Sequence, residues 1–216
     1  MDLAAASPIP VQPSLPDGAQ SFPHHWRAEV LTTPPMIAPA RQFTYPRQVA
    51  GEEDALARGA LRLLVHPTPS GDSPSGGAFL ATCALGFTDP AVPTGVFACP
   101  NPRELCAVAG GYAYVIDTGA PGRSVHIPLK PVAEVLVLVA QRLLVFVGFH
   151  AIAAWGTDGM AWQTARLSWE GIRIVGLHTD ANGAVLLDGC GWNLATDREV
   201  AFSVDLRTGG HIGGGF

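Results

Sequence analysis

GTDGMAWQTARLSWEG, residues 156–171, follows a long apolar run and, with Trp155 before it, spaces Trp155, Trp162 and Trp169 seven residues apart. A seven-residue spacing is the mark of a helical seam, so this stretch decides between helix and hairpin. The helix fails on two counts. Gly156, Gly159 and Gly171 would each cost about 1 kcal/mol against alanine, and the apolar i, i+3, i+4 stripe is absent. Asp158-Gly159 is instead a strong hairpin signal. A type I′ loop at those two residues pairs Thr157 with Met160 and Trp155 with Trp162, placing both tryptophans on one face of a sheet. A longer loop shifts that register. The expectation is a core-packed hairpin, with Trp169 at the following corner, "LSWEG".

The same reading extends in both directions. After "LRLLVHP" (61–67) and the loop "TPSGDSPSGG" (68–77), the chain runs through short segments such as "AFLATCALGF", "GYAYVID", "RLLVFVG" and "EVAFSVDL". They are rich in Val, Leu and Ile and are punctuated by Gly, Pro and Asp, the pattern of an all-β antiparallel meander. "VLVLVAQRLLVFVG" is apolar on both faces, which predicts central strands buried from both sides. "GEEDALARGA" (51–60) predicts one or two helical turns, with its acidic residues at the start. The glycines of "RTGGHIGGGF" predict a frayed tail.

Residues 1–50 hold nine of the nineteen prolines and little periodicity, which predicts a Pro-rich extended arm, partly disordered. Phe22, Trp26, Phe43 and Tyr45 predict docking from about residue 20 onward. The domain organisation is therefore an arm over 1–50 and an all-β repeat domain over 51–216.

Composition narrows the function classes. The net charge is −5 and Lys130 is the only lysine, so the basic footprint of a nucleic-acid partner is missing. The strongest apolar stretch, 129–149, is interrupted by Lys130, Glu134 and Arg142, so no membrane span is expected. The N-terminus lacks the basic and apolar regions of a signal peptide, which predicts a cytoplasmic location. Cys83, Cys99, Cys106 and Cys190 contain no C-x-x-C. Buried free thiols are the expectation, ahead of a Cys99–Cys106 disulfide or metal ligation, and no metal or cofactor is expected.

An internal repeat follows from the turns. Asp117-Thr118-Gly119, Thr157-Asp158-Gly159 and Asp205 with Thr208-Gly209 recur about 40–50 residues apart, a blade-like period. Gly159-Met160-Ala161-Trp162 adds a tryptophan three residues after the glycine. On these residues the segment 78–216 resembles the blades of quinoprotein-type (PQQ-like) and WD-repeat propellers. The resemblance implies about three blade-like sheets, arranged as a partial propeller or sandwich-like. The Ala-, Gly- and Arg-rich, Lys-poor composition is similar to that of many bacterial proteins.

No nucleophile elbow, zinc-protease, P-loop or dinucleotide motif is present. The best acidic cluster is "TDREVAF", where Asp197 and Glu199 share a face if extended. With Asp188 across "GCGWN" they are candidate acid–base carboxylates. Trp169, Glu170 and Trp192 are candidate binding residues. His66, His126, His150 and His178 fall in or at the ends of strands, with no ligand spacing. Two functions compete: a non-enzymatic β-repeat module for binding or assembly, with a protein partner or self-association, and a hydrolase-like enzyme using the carboxylates near Trp192. A polar pocket uniting Asp188, Asp197 and Glu199 would favour the second.

Overall fold

The computed structural model describes residues 21–46, 55–68 and 77–215. These residues are nearly all β and form four sheets of four strands each, none closed into a barrel. The first contains β1 (Trp26–Leu31), β2 (Arg41–Tyr45), β3 (Ala60–Pro67) and β4 (Phe79–Ala84). The second contains β5 (Gly95–Ala98), β6 (Glu104–Ala109), β7 (Tyr112–Asp117) and β8 (Ser124–His126). The third contains β9 (Val132–Leu138), β10 (Leu143–Gly148), β11 (Ile152–Gly156) and β12 (Gly159–Gln163). The fourth contains β13 (Ile172–Thr179), β14 (Val185–Asn193), β15 (Arg198–Asp205) and β16 (His211–Gly213).

The last three sheets are antiparallel meanders, each strand pairing with its sequence neighbours. The repeated Asp/Thr/Gly turns join the third strand to the fourth in each of them: β7 to β8, β11 to β12, and β15 to β16. A carboxylate organises two of these turns. Asp117 Oδ1 accepts from the Gly119 and Ala120 amides, and Asp205 Oδ1 from the Arg207 amide. Such local bonds hold the chain in a turn without help from a partner strand.

The first sheet is built differently, in the order β1-β3-β4-β2, with β2 parallel to β4. Its β1 and β2 come from the segment expected to be an arm. Trp26 is buried there, its indole donating to the Glu104 carbonyl at 3.0 Å, and Phe43 packs edge-on against Phe79. The docking expected of these aromatics is present, within regular strands. Residues 95–213 form three sheets, the number expected of the segment 78–216, and β1–β4 add a fourth before them. Residues 1–18 lie outside the described residues. Of the segment 51–60, residues 55–60 are described, and Ala55–Arg58 forms a short 3-10 turn.

Alternation along the strands sorts the core into two layers. Leu144 and Phe146 of β10, with Ala153 and Trp155 of β11, join a core that runs through the second sheet to the first. Leu143, Val145 and Val147, with Ile152 and Ala154, face the fourth sheet. The third sheet is thus apolar on both faces, as its sequence predicts.

The tryptophan pairing is corrected. Gly156 pairs with Gly159, so Thr157 and Asp158 form the loop, and Gly159 takes a φ of +119°. A bulge follows: Trp155 pairs with Met160 but Ala154 with Trp162. The extra residue, Ala161, turns Trp162 to the opposite face. Trp155 faces the second sheet, where its indole donates to Glu104 Oε2 at 2.7 Å. Trp162 faces the fourth, where its indole donates to the Leu206 carbonyl at 2.7 Å. Gly209, with a φ of +73°, lies against that ring: a Cβ there would sit 2.9 Å from three Trp162 atoms.

The expected frayed tail is also corrected. His211–Gly213 pairs with β15, and the Gly214 and Gly215 amides donate to the Ala201 and Leu167 carbonyls. Glycine permits this close approach, since a Cβ at Gly213 would sit 2.2 Å from the Ala201 oxygen.

Candidate binding surface

The corner after β12 is fixed by one buried hydroxyl. Ser168 is fully buried, and its Oγ accepts from the Glu170 amide at 3.2 Å and the Trp192 amide at 2.7 Å. The Trp169 amide donates to the Trp192 carbonyl at 2.9 Å. Gly191 makes the approach possible: a Cβ there would lie 2.3 Å from the Leu167 oxygen. The three candidate binding residues, Trp169, Glu170 and Trp192, are therefore brought together at one corner between β12 and β14. Trp169 is 42% exposed, and the Arg166 guanidinium lies 4.5 Å from its ring centroid. Glu199 stands opposite Trp192 in the β14–β15 register and pairs with Arg173 at 2.7 Å. The result is one exposed tryptophan, Trp169, beside a half-buried one, Trp192, flanked by charges of both signs on a hydrogen-bonded frame.

The candidate carboxylates are not brought together. Asp188 stands opposite Ser203, whereas Glu199 stands opposite Trp192, four residues further along β14. At the rise of a strand that separation is about 13 Å. Asp197 lies in the β14–β15 turn with a φ of +52°. Each of the other two is engaged separately. Asp188 accepts from Ser203 Oγ at 2.6 Å, and its other oxygen lies 2.5 Å from His178 Nδ1. The Ser203 hydrogen bond, with His178 assisting, holds the Asp188 carboxyl below its ordinary range against some desolvation. The order of groups matters chemically. Ser203 bonds to the carboxylate and not to the imidazole, so His178 is not placed to take its proton.

One site was missed in the sequence. Glu104, Asp117, Arg123 and Trp155 line a cleft of about 400 Å³ between the second and third sheets. Desolvation raises the Glu104 carboxyl, with the Trp155 hydrogen bond opposing and Asp117 reinforcing the rise. Asp117 is itself held by Arg123 at 2.8 Å and Arg103 at 3.3 Å. The residues are scattered over 51 positions, and only the pairing of strands assembles them. A larger, open cleft of about 700 Å³ lies between the loops of the third and fourth sheets, lined by Gln141, Asn182 and Asp205 among others.

The four cysteines are free thiols. Burial raises the pKa of Cys83, Cys99 and Cys106, which makes them poor nucleophiles. Among the described residues no helix is long and apolar enough to cross a membrane. In comparison with known proteins, no family model matches the chain and no curated protein matches it.

Proposed function

We propose that the protein is a binding module whose contact surface is the corner formed by Trp169 and Trp192, with Arg166 and Arg173 at its border. One observation carries this reading: Trp169 stays substantially exposed although the backbone around it is fixed by Ser168 and Trp192. An exposed tryptophan on a rigid frame loses little entropy on binding, and Trp and Arg are the residues that anchor protein interfaces. The favoured partner is a protein or peptide. The separation of Asp188 from Glu199, and the bonding of Ser203 to Asp188, support binding over hydrolysis. The four-stranded sheets support a relationship to propeller blades of the PQQ-like or WD-repeat kind. The free thiols support a reducing, cytoplasmic setting.

Selection of peptides from a displayed random library against the immobilised protein tests the reading. Enriched peptides should bind Trp169→Ala at least about tenfold more weakly, the loss of ~1.4 kcal/mol or more expected at a hot spot. They should bind Thr44→Ala, a change on the first sheet, unaltered. The proposal fails if no peptide is enriched, or if enriched peptides bind both variants equally.

A further inference from the structure

We propose that two copies of the chain associate through β13, edge to edge and antiparallel, joining their fourth sheets into one continuous sheet. At eight residues β13 is the longest strand on any sheet edge, and among the described residues its only strand partner is β14. Alternate N–H and C=O groups of an edge strand point away from the sheet and can pair with a further strand. Two large apolar side chains stand on this edge, Val175 at 64% and Leu177 at 46% exposure. By contrast β9, the longer of the two edge strands of the third sheet, is half-buried along most of its length.

The occupant follows from the pattern of β13 itself. The β13–β14 register jumps between Ile174, opposite Gly189, and Gly176, opposite Asp188, so Val175 is a bulge. Before the bulge Ile172 and Ile174 face the core and Arg173 faces away. After it the parity reverses: Leu177 shares the core-side register of Leu187, and His178 the far-side register of Leu186. Directly opposed residues in an antiparallel pair point to the same face. A two-fold axis between Val175 and Gly176 then sets Ile174 of one copy against Leu177 of the other, apolar on apolar. It sets Ile172 against Thr179 on the same face. On the far face it sets Arg173 against His178 of the second copy, beside that copy's Asp188, which bonds His178. Arg173, which pairs with Glu199 of its own chain, is thereby brought near a second carboxylate, Asp188 of the other copy. Moving the axis onto a residue would oppose core-side and far-side positions; of the axes between residues, this one pairs the whole of β13, Ile172–Thr179, with faces matched outside the bulge. A contact that complements itself under a two-fold is what a closed dimer requires.

Two measurements on the full chain test the proposal. Sedimentation velocity over a broad concentration range should show a species of twice the chain mass, lost in Val175→Lys, since an edge lysine opposes strand addition. In a Cys190→Ser background, mixing Ile174→Cys with Leu177→Cys under mild oxidation should give a mixed disulfide dimer. Ile172→Cys mixed with Leu177→Cys should give much less. A chain that is monomeric at all concentrations overturns the proposal. So does a dimer that survives Val175→Lys without the mixed disulfide. The cross-link reads register directly, so it decides the matter even if Val175→Lys perturbs folding.

Discussion

The third and fourth sheets share one plan, four strands in meander with an Asp/Thr/Gly turn before the last, and they bury different amounts of themselves. Every residue of β10 and β11 is buried, because the second sheet packs on one face and the fourth on the other. In β14 and β15 burial alternates, with Leu187, Phe202 and Val204 turned inward and Asp188, Ser203 and Glu199 turned away. The difference shows what each sheet can contribute. A sheet covered on both faces holds the stack together and has no face left for a partner. A sheet covered on one face can give its other face, its edge and its corners to recognition. The two tryptophans of "GMAWQTARLSW" fall on either side of this division.

Trp162→Ala should have the largest effect of any change at the boundary between the two sheets. The ring is 7% exposed, lies between the third and fourth sheets, and anchors to Leu206. Its loss should cost about 3–5 kcal/mol, read as a lower denaturant midpoint. That is a large part of the ~5–15 kcal/mol of a typical domain. An unchanged midpoint would mean that the contact between the sheets contributes little to folding. Gly209→Ala probes the same contact from the other side. A left-handed φ alone costs an L-residue about 1–2 kcal/mol, and the new methyl would press on the Trp162 ring. The thermal midpoint should fall, and the double variant with Trp162→Ala should fall by less than the sum of the two.

This division was partly legible in the sequence. Periodicity was enough for the all-β class, the doubly buried strands and the equivalence of the three turns, because each rests on neighbouring residues. It was not enough for the face of Trp162, since one bulged residue, Ala161, reverses every side chain beyond it. It also missed β1 and β2. Prolines at 34, 35 and 39 lie between those strands, and β2 pairs in parallel with a strand more than thirty residues away. Residue type alone named Trp169, Glu170 and Trp192 as candidates, and strand pairing sets their backbones at one corner. The Glu104–Trp155 contact spans two sheets and leaves no local signal.

The two sheets also differ in how their carboxyl groups should respond to pH. Glu104, facing the third sheet through Trp155, is raised by burial. A raised acid contributes stability that is full below its unfolded pKa and lost as pH rises through the folded value. Asp188, on the fourth sheet, is lowered by Ser203 and His178. Its contribution is present above the unfolded pKa and lost as pH falls through the folded value, in a window below that of Glu104. Glu104→Gln keeps an oxygen for the Trp155 indole and removes the charge. It should be more stable than the wild type at neutral pH, with the gap closing as pH falls through the window above the ordinary carboxylate range. Ser203→Ala should instead destabilise at neutral pH and lose its difference in stronger acid. Denaturant midpoints across the two windows check both signs. A wild-type advantage over Glu104→Gln at neutral pH would show that the Trp155 bond outweighs desolvation.

Trp169, the same residue type seven positions from Trp162, should be the least costly to remove. Trp169→Ala removes a ring that is largely outside the core and whose clearest neighbour is Arg166. An exposed cation–ring contact contributes about 0.5–1 kcal/mol, so the denaturant midpoint should shift by only a fraction of the Trp162→Ala shift. The frame should survive, because Ser168 bonds the backbone amides of Glu170 and Trp192, and Trp169 itself takes part through its own amide. Alanine keeps that amide. Ser168→Ala is the control for the frame: it leaves two amides without their acceptor and should cost more than Trp169→Ala, on the order of the 1–3 kcal/mol for unsatisfied buried groups. If Trp169→Ala proves as damaging as Ser168→Ala, the ring is a structural cover for the corner, and the surface loses its claim to be held open for a partner.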